Sequence, residues 1–318
     1  MGTSINKDDC IGRINSALSS PIFHAKRSEF VRRFGTEFQG FFLGLELAIE
    51  ELRLSNSALA LSLLDSLPAT LTSQLRQLSP EVKGLVAKEL VCRMLGKLNG
   101  LIERSLLPLS ILQQYPVAVA YMVNSIVCDL DEIYGDEHQS YADRDLRMAS
   151  GFTIPAGVQI LDLRCWLPRS FYRNQGVREN LRCLSFVVSR LGGLGPVIRM
   201  HIDTRNLEDF NPVGRRNCYL RIAELLDVMP AVKGLVGTSW YFDPQLETVS
   251  PKLNYLREVP ASNGAFLRID GPGEIHTQRA ITRSPTRKKL FDEGLYRPTC
   301  ATLVWPRRAL LRWSKGQS

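Results

Sequence analysis

Val158-Gln-Ile-Leu-Asp-Leu-Arg-Cys-Trp-Leu167 is a mainly apolar run, and it predicts a buried β-strand. It is followed by the basic turn Tyr172-Arg-Asn-Gln-Gly-Val-Arg178, an amphipathic helix, a glycine break and a second strand from Pro196 to Asp203. A helix that begins after such a turn leaves its first backbone N–H groups without intrahelical partners, and these groups carry the positive end of the helix dipole. We therefore expect a phosphate-binding site around residues 174–178.

The run from Leu161 to Leu181 resembles the acyl-CoA-binding motif of the GNAT superfamily of N-acetyltransferases. In that motif a strand is followed by Arg or Gln-x-x-Gly-x-Gly or Ala, and then by a helix. Arg173-Asn-Gln-Gly176 matches the first four positions and Val177 the fifth, whereas Arg178 stands where the family has a small residue. The resemblance implies acyl-CoA as co-substrate. The residues that it assigns to the cofactor are Leu163, Cys165, Arg173, Asn174, Gln175, Gly176, Val177 and Arg178.

The resemblance also implies where the chemistry takes place. The acyl thioester is expected between the diverging ends of the strands at 158–167 and 196–203, where an amine attacks it directly. His201 and Asp203 alternate along the second strand, so both point to one face. His201 is the candidate general base because an imidazole titrates near neutral pH, and Asp203 is a candidate for orienting the amine. Tyr219 is similar in placement to the family's tyrosine that protonates the leaving thiolate.

A different chemistry uses the same histidine. His201-Ile-Asp203 followed by His276 resembles the His-x-Asp…His triad of Fe(II)/2-oxoglutarate-dependent oxygenases, with Arg287 as a carboxylate clamp. That family requires a jelly roll of about eight strands. Helical patterns at 211–229 and 244–257 interrupt the interval in which those strands would pair. The oxygenase is therefore the alternative, and the acyltransferase interpretation requires no metal.

The positive charge of the chain is concentrated near its end. The formal net charge is +8 over 318 residues. From His276 onwards there are ten Lys or Arg against two acidic residues, so the preceding part is neutral. Such a segment indicates either a solvated basic surface or an anionic partner, such as CoA phosphates or RNA. It leaves open an aminoacyl-tRNA-dependent transferase, and Arg178 leaves open a non-catalytic binding protein.

The seven cysteines are scattered, with no C-x-x-C spacing. An odd, unclustered set favours reduced thiols in the cytoplasm over a disulfide framework or a zinc site. No apolar run reaches the length of a membrane span, so no membrane partner is expected.

The organisation along the chain predicts three parts. Residues 1–135 have helical periodicity and predict a helical bundle, with helices at 30–54, 56–67, from Pro80 with Ser79 as N-cap, and at 115–133. Residues 136–153 are polar and predict a linker or loop. Residues 154–318 alternate between strand and helix patterns and predict an α/β domain with a mixed, partly parallel sheet of the GNAT type. No clear hairpin precedes Val158.

Overall fold

The computed structural model describes residues 6–35, 38–55, 63–128, 141–172 and 176–317. Internal contacts divide the chain into two compact units. Unit 1 comprises Met1–Ala156 and Ile160–Arg164, and unit 2 comprises Gly157–Gln159 and Cys165–Ser318. The predicted change from a helical region to an α/β region near residue 154 therefore lies close to the first boundary between the units.

Unit 1 is mainly helical. Its helices are α1 (Lys7–Leu18), α2 (Pro21–Phe34), α3 (Gln39–Ser55), α4 (Ala69–Gln77), α5 (Pro80–Arg104), α6 (Leu109–Leu112), α7 (Tyr115–Val127) and α8 (Tyr141–Ala149). Helix α5 begins as predicted, because the Ser79 hydroxyl accepts a hydrogen bond from the backbone N–H of Val82 at 3.4 Å and Pro80 occupies the first turn. The apolar stripe of this helix is buried from Val86 to Ile102.

Two helix predictions in unit 1 were wrong in their extent. The continuous helix predicted over 30–54 is two helices, because α2 ends at Gly35, whose φ of 64° suits glycine and stops the helix. Of the helix predicted over 56–67, residues 56–62 lie outside the described residues, and Leu64–Ser66 form a single 3₁₀ turn.

The linker predicted over 136–153 was wrong for residues 141–149, which form α8; residues 136–140 lie outside the described chain. Two charged residues of α8, Asp143 and Arg147, have partners within the structure. Arg147 Nε lies 3.0 Å from Asp143 Oδ2, and Arg147 Nη1 lies 3.4 Å from Asp162 Oδ1. Asp143 also accepts a hydrogen bond from the backbone N–H of Leu63 at 2.6 Å. Buried ion pairs with satisfied partners allow a polar sequence to lie in a core.

Six strands form one mixed sheet in the order β1-β2-β3-β4-β6-β5. They are β1 (Thr153–Pro155), β2 (Gln159–Cys165), β3 (Val197–Ile202), β4 (Gly234–Ser239), β5 (Phe266–Gly271) and β6 (Cys300–Pro306). Strands β3 and β4 are parallel, whereas β6 runs antiparallel to both β4 and β5. The short strand β1 pairs antiparallel with β2 and supplies a small hairpin that the sequence did not reveal. The mixed, partly parallel α/β class is confirmed.

The parallel pair is β3 with β4, and not β2 with β3. The N–H of Asp203, just after β3, donates to the carbonyl of Val158, just before β2, at 2.9 Å. Arg199 Nη2 of β3 donates to the carbonyl of Trp166, just after β2, at 3.3 Å. The end of one strand therefore lies beside the beginning of the other, and the two run in opposite directions.

Helices cover both faces of the sheet in unit 2. They are α9 (Val177–Phe186), which continues as a π-helical turn over Val187–Leu191, α10 (Pro212–Val228), α11 (Leu246–Val249), α12 (Tyr255–Ser262), α13 (Glu274–Thr282), α14 (Pro285–Asp292) and α15 (Arg307–Lys315). Helix α9 packs on Val197, Val236 and Val304. On the opposite face, Tyr219 of α10 and Trp313 of α15 pack against Trp305, with ring centroids 5.1 and 5.4 Å from it.

The helix predicted over 244–257 is divided between α11, a 3₁₀ turn and α12, and α15 was not anticipated. No helix within the described ranges is both long enough and apolar enough to cross a membrane.

Candidate active site

The parallel strands β3 and β4 are paired near their amino ends. Their register pairs are Ile198↔Leu235 and Arg199↔Val236. Both strands continue beyond these pairs, to Ile202 and Ser239, and β4 remains paired with β6 as far as Ser239. Carboxyl ends of parallel strands are the usual position of binding sites in α/β sheets. We refer to the last residues of the two strands, 200–202 of β3 and 237–239 of β4, together as the β3–β4 opening.

His201 and Thr238 flank the β3–β4 opening. Each lies two residues beyond the paired residues Arg199 and Val236, so both side chains are on the same face of the sheet. Thr238 is exposed and His201 is half-buried. His201 thus lies one residue before the end of β3, and Thr238 adds a hydroxyl on the neighbouring strand.

A chain of hydrogen bonds leads from Thr238 to a carboxylate. The Thr302 hydroxyl donates to Asp270 Oδ2 at 2.6 Å, and the Thr238 and Thr302 hydroxyl oxygens are 2.9 Å apart. Because the single hydroxyl hydrogen of Thr302 is used on Asp270, Thr238 must be the donor to Thr302. Thr238 therefore presents only acceptor lone pairs to the opening. Asp270 Oδ1 accepts a further hydrogen bond from Arg268 Nε at 2.7 Å.

These residues were not predicted, because Thr238 and Thr302 are 64 positions apart, Asp270 and Thr302 are 32 apart, and only the register of β4, β5 and β6 brings them together. Thr238 is the register partner of Thr302, and Thr302 is the partner of Arg268. The sequence feature that could have indicated them is a threonine in each of two mainly apolar strands, Thr238 in β4 and Thr302 in β6. Thr302 and Arg268 are buried, with 2% and 5% of their surfaces exposed. Buried polar groups of this kind are normally satisfied by one another.

The cysteines beside this chain of hydrogen bonds are protonated thiols. Burial, reinforced by the negative charge of Asp270, raises the pKa of Cys300 to about 12. Burial also raises the pKa of Cys183 on α9. A thiol is a weak nucleophile compared with a thiolate. The arrangement therefore favours chemistry in which a substrate group attacks directly, without a cysteine intermediate.

Helix α9 begins where the sequence predicted a phosphate site. Gly176 is its N-cap with φ 85°, and no side chain caps the helix within the described part of the chain. The first helical hydrogen bond runs from the N–H of Asn180 to the carbonyl of Gly176 at 3.1 Å, so the N–H groups of residues 177–179 precede the helical ladder. Val177 is 76% exposed. Arg173, Asn174 and Gln175 lie outside the described residues.

The remaining residues assigned to the cofactor are dispersed. Arg178 is exposed beside Val177 at the start of α9. Cys165, at the end of β2, is half-buried and packs against the core beneath α9. Leu163 lies within β2 and its N–H donates to the carbonyl of Phe152 at 3.4 Å.

Arginines surround Tyr241, which follows β4 at its carboxyl end. Burial raises the pKa of Tyr241, and the positive charges of Arg287, Arg283, Arg215 and Arg279 act in the opposite direction. Arg279 and Arg283 are exposed and make no hydrogen bond or ion pair with any described residue. The basic segment predicted from composition therefore contributes three of these arginines, two exposed and one buried, and we call the four together the Tyr241 arginine cluster.

Arg215 of this cluster is a buried charge without a carboxylate. It is 4% exposed, its Nε donates to the Tyr219 hydroxyl at 2.9 Å, and its guanidinium lies 4.8 Å from the centre of the Tyr219 ring. No acidic side chain of the described residues pairs with it. The nearby Tyr255 hydroxyl is buried and has no hydrogen-bond partner there either. Burying an unpaired charge is costly, so this arrangement is suited to an anionic group.

Two residues predicted to act in catalysis are engaged elsewhere. Asp203 accepts from the backbone N–H of Arg205 at 3.0 Å, and its Oδ2 lies 2.9 Å from Arg205 Nη2. Its charge is thus neutralised by a neighbour. Tyr219 has no exposed surface and packs between Trp305 and Trp313. Neither side chain is directed at an open substrate site.

The oxygenase triad is not assembled. No group of three or more His, Cys, Asp or Glu side chains in the described residues is close enough to hold a metal ion, and His201, Asp203 and His276 are all among them. Arg287, the predicted carboxylate clamp, is buried and donates to the carbonyl of Ala280 at 2.5 Å and to Ser250 Oγ at 3.1 Å. The single mixed sheet also differs from a jelly roll.

Comparison with known proteins found no matching family, no matching curated protein and no matching solved structure.

Proposed function

We propose that unit 2 is an acyltransferase that moves an acyl group from acyl-CoA to an amine by direct attack. The observation that carries the proposal is the β3–β4 opening, flanked by the His201 imidazole and by the acceptor oxygen of Thr238. An attacking amine must lose a proton, and both groups can accept a hydrogen bond from it. The sequence resemblance around Gly176 supports the choice of acyl-CoA as donor.

The reaction needs only groups of this chain and two substrates. The amine nitrogen forms a bond to the thioester carbon, the carbon–sulfur bond breaks, and the CoA thiolate leaves. The amine proton passes to His201, or through the Thr238 and Thr302 hydroxyls towards Asp270. A thiol with a pKa of about 8.5 is a good leaving group, so the buried position of Tyr219 does not prevent the reaction.

Two parts of unit 2 are suited to bind the anionic portion of acyl-CoA. The start of α9 offers the N–H groups of residues 177–179, which precede the helical ladder, with Arg178 among them. The Tyr241 arginine cluster offers guanidinium groups, which bind phosphate in bidentate geometry. In this proposal the exposed guanidinium groups of Arg279 and Arg283 hold the phosphates.

The exposed arginines favour one second candidate, an aminoacyl-tRNA-dependent transferase. Arg279 and Arg283 are exposed and make no hydrogen bond or ion pair among the described residues, which is typical of contacts to a phosphate backbone. In that case the protein is retained on RNA, and the affinity falls steeply with salt. A non-catalytic binding protein is the outcome if acyl-CoA binds and no amine is acylated.

The experiment combines binding with turnover on the full chain. We expect acetyl-CoA to raise the thermal stability, and Gly176→Asp to abolish that shift because a carboxylate repels phosphate at the start of α9. The charge-removing pair Arg279→Gln with Arg283→Gln is expected to weaken binding. Lys288→Gln serves as the control, because Lys288 is exposed and paired with Asp292 at 3.0 Å.

Turnover is followed as thiol release from acyl-CoA with a panel of small amines and peptides. His201→Ala is expected to lower kcat by about 10²–10⁴ without changing acetyl-CoA binding, as for a general base. If no acyl-CoA shifts the thermal stability, acyl transfer is excluded. If thiol release persists unchanged in His201→Ala, His201 is not the base.

A further inference from the structure

A second positively charged site lies at the opposite end of β4. A cavity of about 580 Å³ is lined by residues that include Arg190, Arg308, Arg312 and Trp313. Pro306, also in the lining, is the register partner of Gly234 at the amino end of β4, whereas Thr238 and Thr302 pair at the carboxyl end. The cavity and the β3–β4 opening are therefore about one strand length apart, roughly 15 Å.

Three arginines line this cavity. No aspartate or glutamate side chain of the described residues lines it. Arg190, Arg308 and Arg312 are exposed, and none of them makes a hydrogen bond or ion pair within the described chain. Arg308 and Arg312 are separated by four positions on α15, so their like charges repel on one helix face. An anion between the three guanidinium groups converts this repulsion into charge-assisted hydrogen bonds.

The backbone that positions Arg190 is itself unusual. Ser189 and Arg190 line the cavity from the π-helical turn Val187–Leu191, which ends at Gly192 with φ 82°. Single π-helical turns are rare and occur frequently at functional sites. This turn is a second, independent feature of the same cavity.

The remaining lining is suited to a small molecule. The volume of about 580 Å³ lies within the range of about 300–1,000 Å³ usual for ligand sites. Trp313 contributes a largely buried aromatic ring, and Asn263 and Ser189 contribute polar groups. The lining thus combines an apolar surface, neutral hydrogen-bonding groups and positive charge.

We propose that this cavity binds a small phosphorylated ligand carrying at least two negative charges, of about the size of a nucleoside diphosphate. Its phosphates lie between Arg190, Arg308 and Arg312, and the rest of the molecule lies against the neutral part of the lining, which includes Asn263 and Ala309. The site is separate from the proposed acyl-transfer site and does not depend on it.

The test is calorimetric titration of the full-length chain with inorganic pyrophosphate and with ADP. We expect saturable binding, and one equivalent should lose at least tenfold in affinity in the double variant Arg308→Gln, Arg312→Gln and in Arg190→Gln. Lys315→Gln on the same helix is the matched control, because Lys315 is exposed and does not line the cavity. The control should bind both ligands as the natural sequence does.

Variants of the cavity are compared with variants of the proposed acyl-transfer site. The double variant should retain thiol release from acetyl-CoA, whereas Gly176→Asp combined with Arg279→Gln and Arg283→Gln should retain one equivalent of bound pyrophosphate or ADP, so that failure of one site is distinguished from failure of the other. Tm values of the variants confirm folding. The proposal is overturned if neither probe binds, if Lys315→Gln loses as much affinity as the cavity variants, or if only RNA binds.

Discussion

Replacing Thr302 by valine tests the hydrogen-bonded chain from the β3–β4 opening to Asp270. The substitution preserves the shape of a side chain that is 2% exposed and removes the hydroxyl that joins Thr238 to Asp270. Two hydrogen bonds are lost, each worth about 0.5–1.5 kcal/mol, so we expect the free energy of unfolding to fall by about 1–3 kcal/mol. Urea denaturation measures this change.

The same variant separates a structural role from a chemical one. If the chain carries the amine proton, Thr302→Val lowers kcat for thiol release by about 10²–10⁴ while acetyl-CoA binding is unchanged. Thr302→Ser keeps the hydroxyl and should keep most of the activity. Unchanged kcat in a stable, folded Thr302→Val protein would refute the relay and leave His201 as the base.

Three further predictions concern stability. Arg147→Met should lower the free energy of unfolding, measured in urea, by about 3–5 kcal/mol because it leaves buried carboxylates unpaired. Arg182→Met is the control: Arg182 is 58% exposed in its ion pair, and its replacement should change this free energy by at most about 1 kcal/mol. Gly234→Ala should lower it by about 1–3 kcal/mol, seen as a lower Tm, because its Cβ overlaps the carbonyl of Trp305; an unchanged Tm would contradict the β4–β6 register. Burial, assisted by a nearby arginine, lowers the pKa of His276, so the folded state favours the neutral imidazole and stability is lost as pH falls below about 6.5. His276→Asn should reduce the difference between urea curves at pH 7 and pH 5, and an unaltered difference would contradict this assignment.

The strands and helices whose apolar residues recur at a regular spacing could be predicted from the sequence. The apolar run at 158–167, the alternation at 196–203 and the helix after Asn211 all correspond to elements of the structure, because each buries a continuous apolar set. Helix α8 could not be recognised, since its buried face contains charged residues whose partners, such as Asp162, are distant in sequence.

The candidate site was only partly predictable. His201 was identified because histidine in a strand is chemically distinctive. Thr238, Thr302 and Asp270 are ordinary residues whose proximity depends on the insertion of β6 between β4 and β5. The direction of β2 relative to β3 was also inaccessible, because a strand–helix–strand pattern is compatible with either orientation when the connection is long enough.

The order of the sheet makes β1 and β5 its two outer strands, and both are poor templates for another chain. Strand β1 has three residues and ends in Pro155, which has no N–H to offer. Strand β5 carries an irregularity between Ile269 and Gly271 that interrupts its regular spacing. These features protect the margins of the sheet from edge-to-edge aggregation. Substitutions that replace Pro155 in β1 or remove the irregularity in β5 are therefore expected to lower the protein concentration at which aggregation begins.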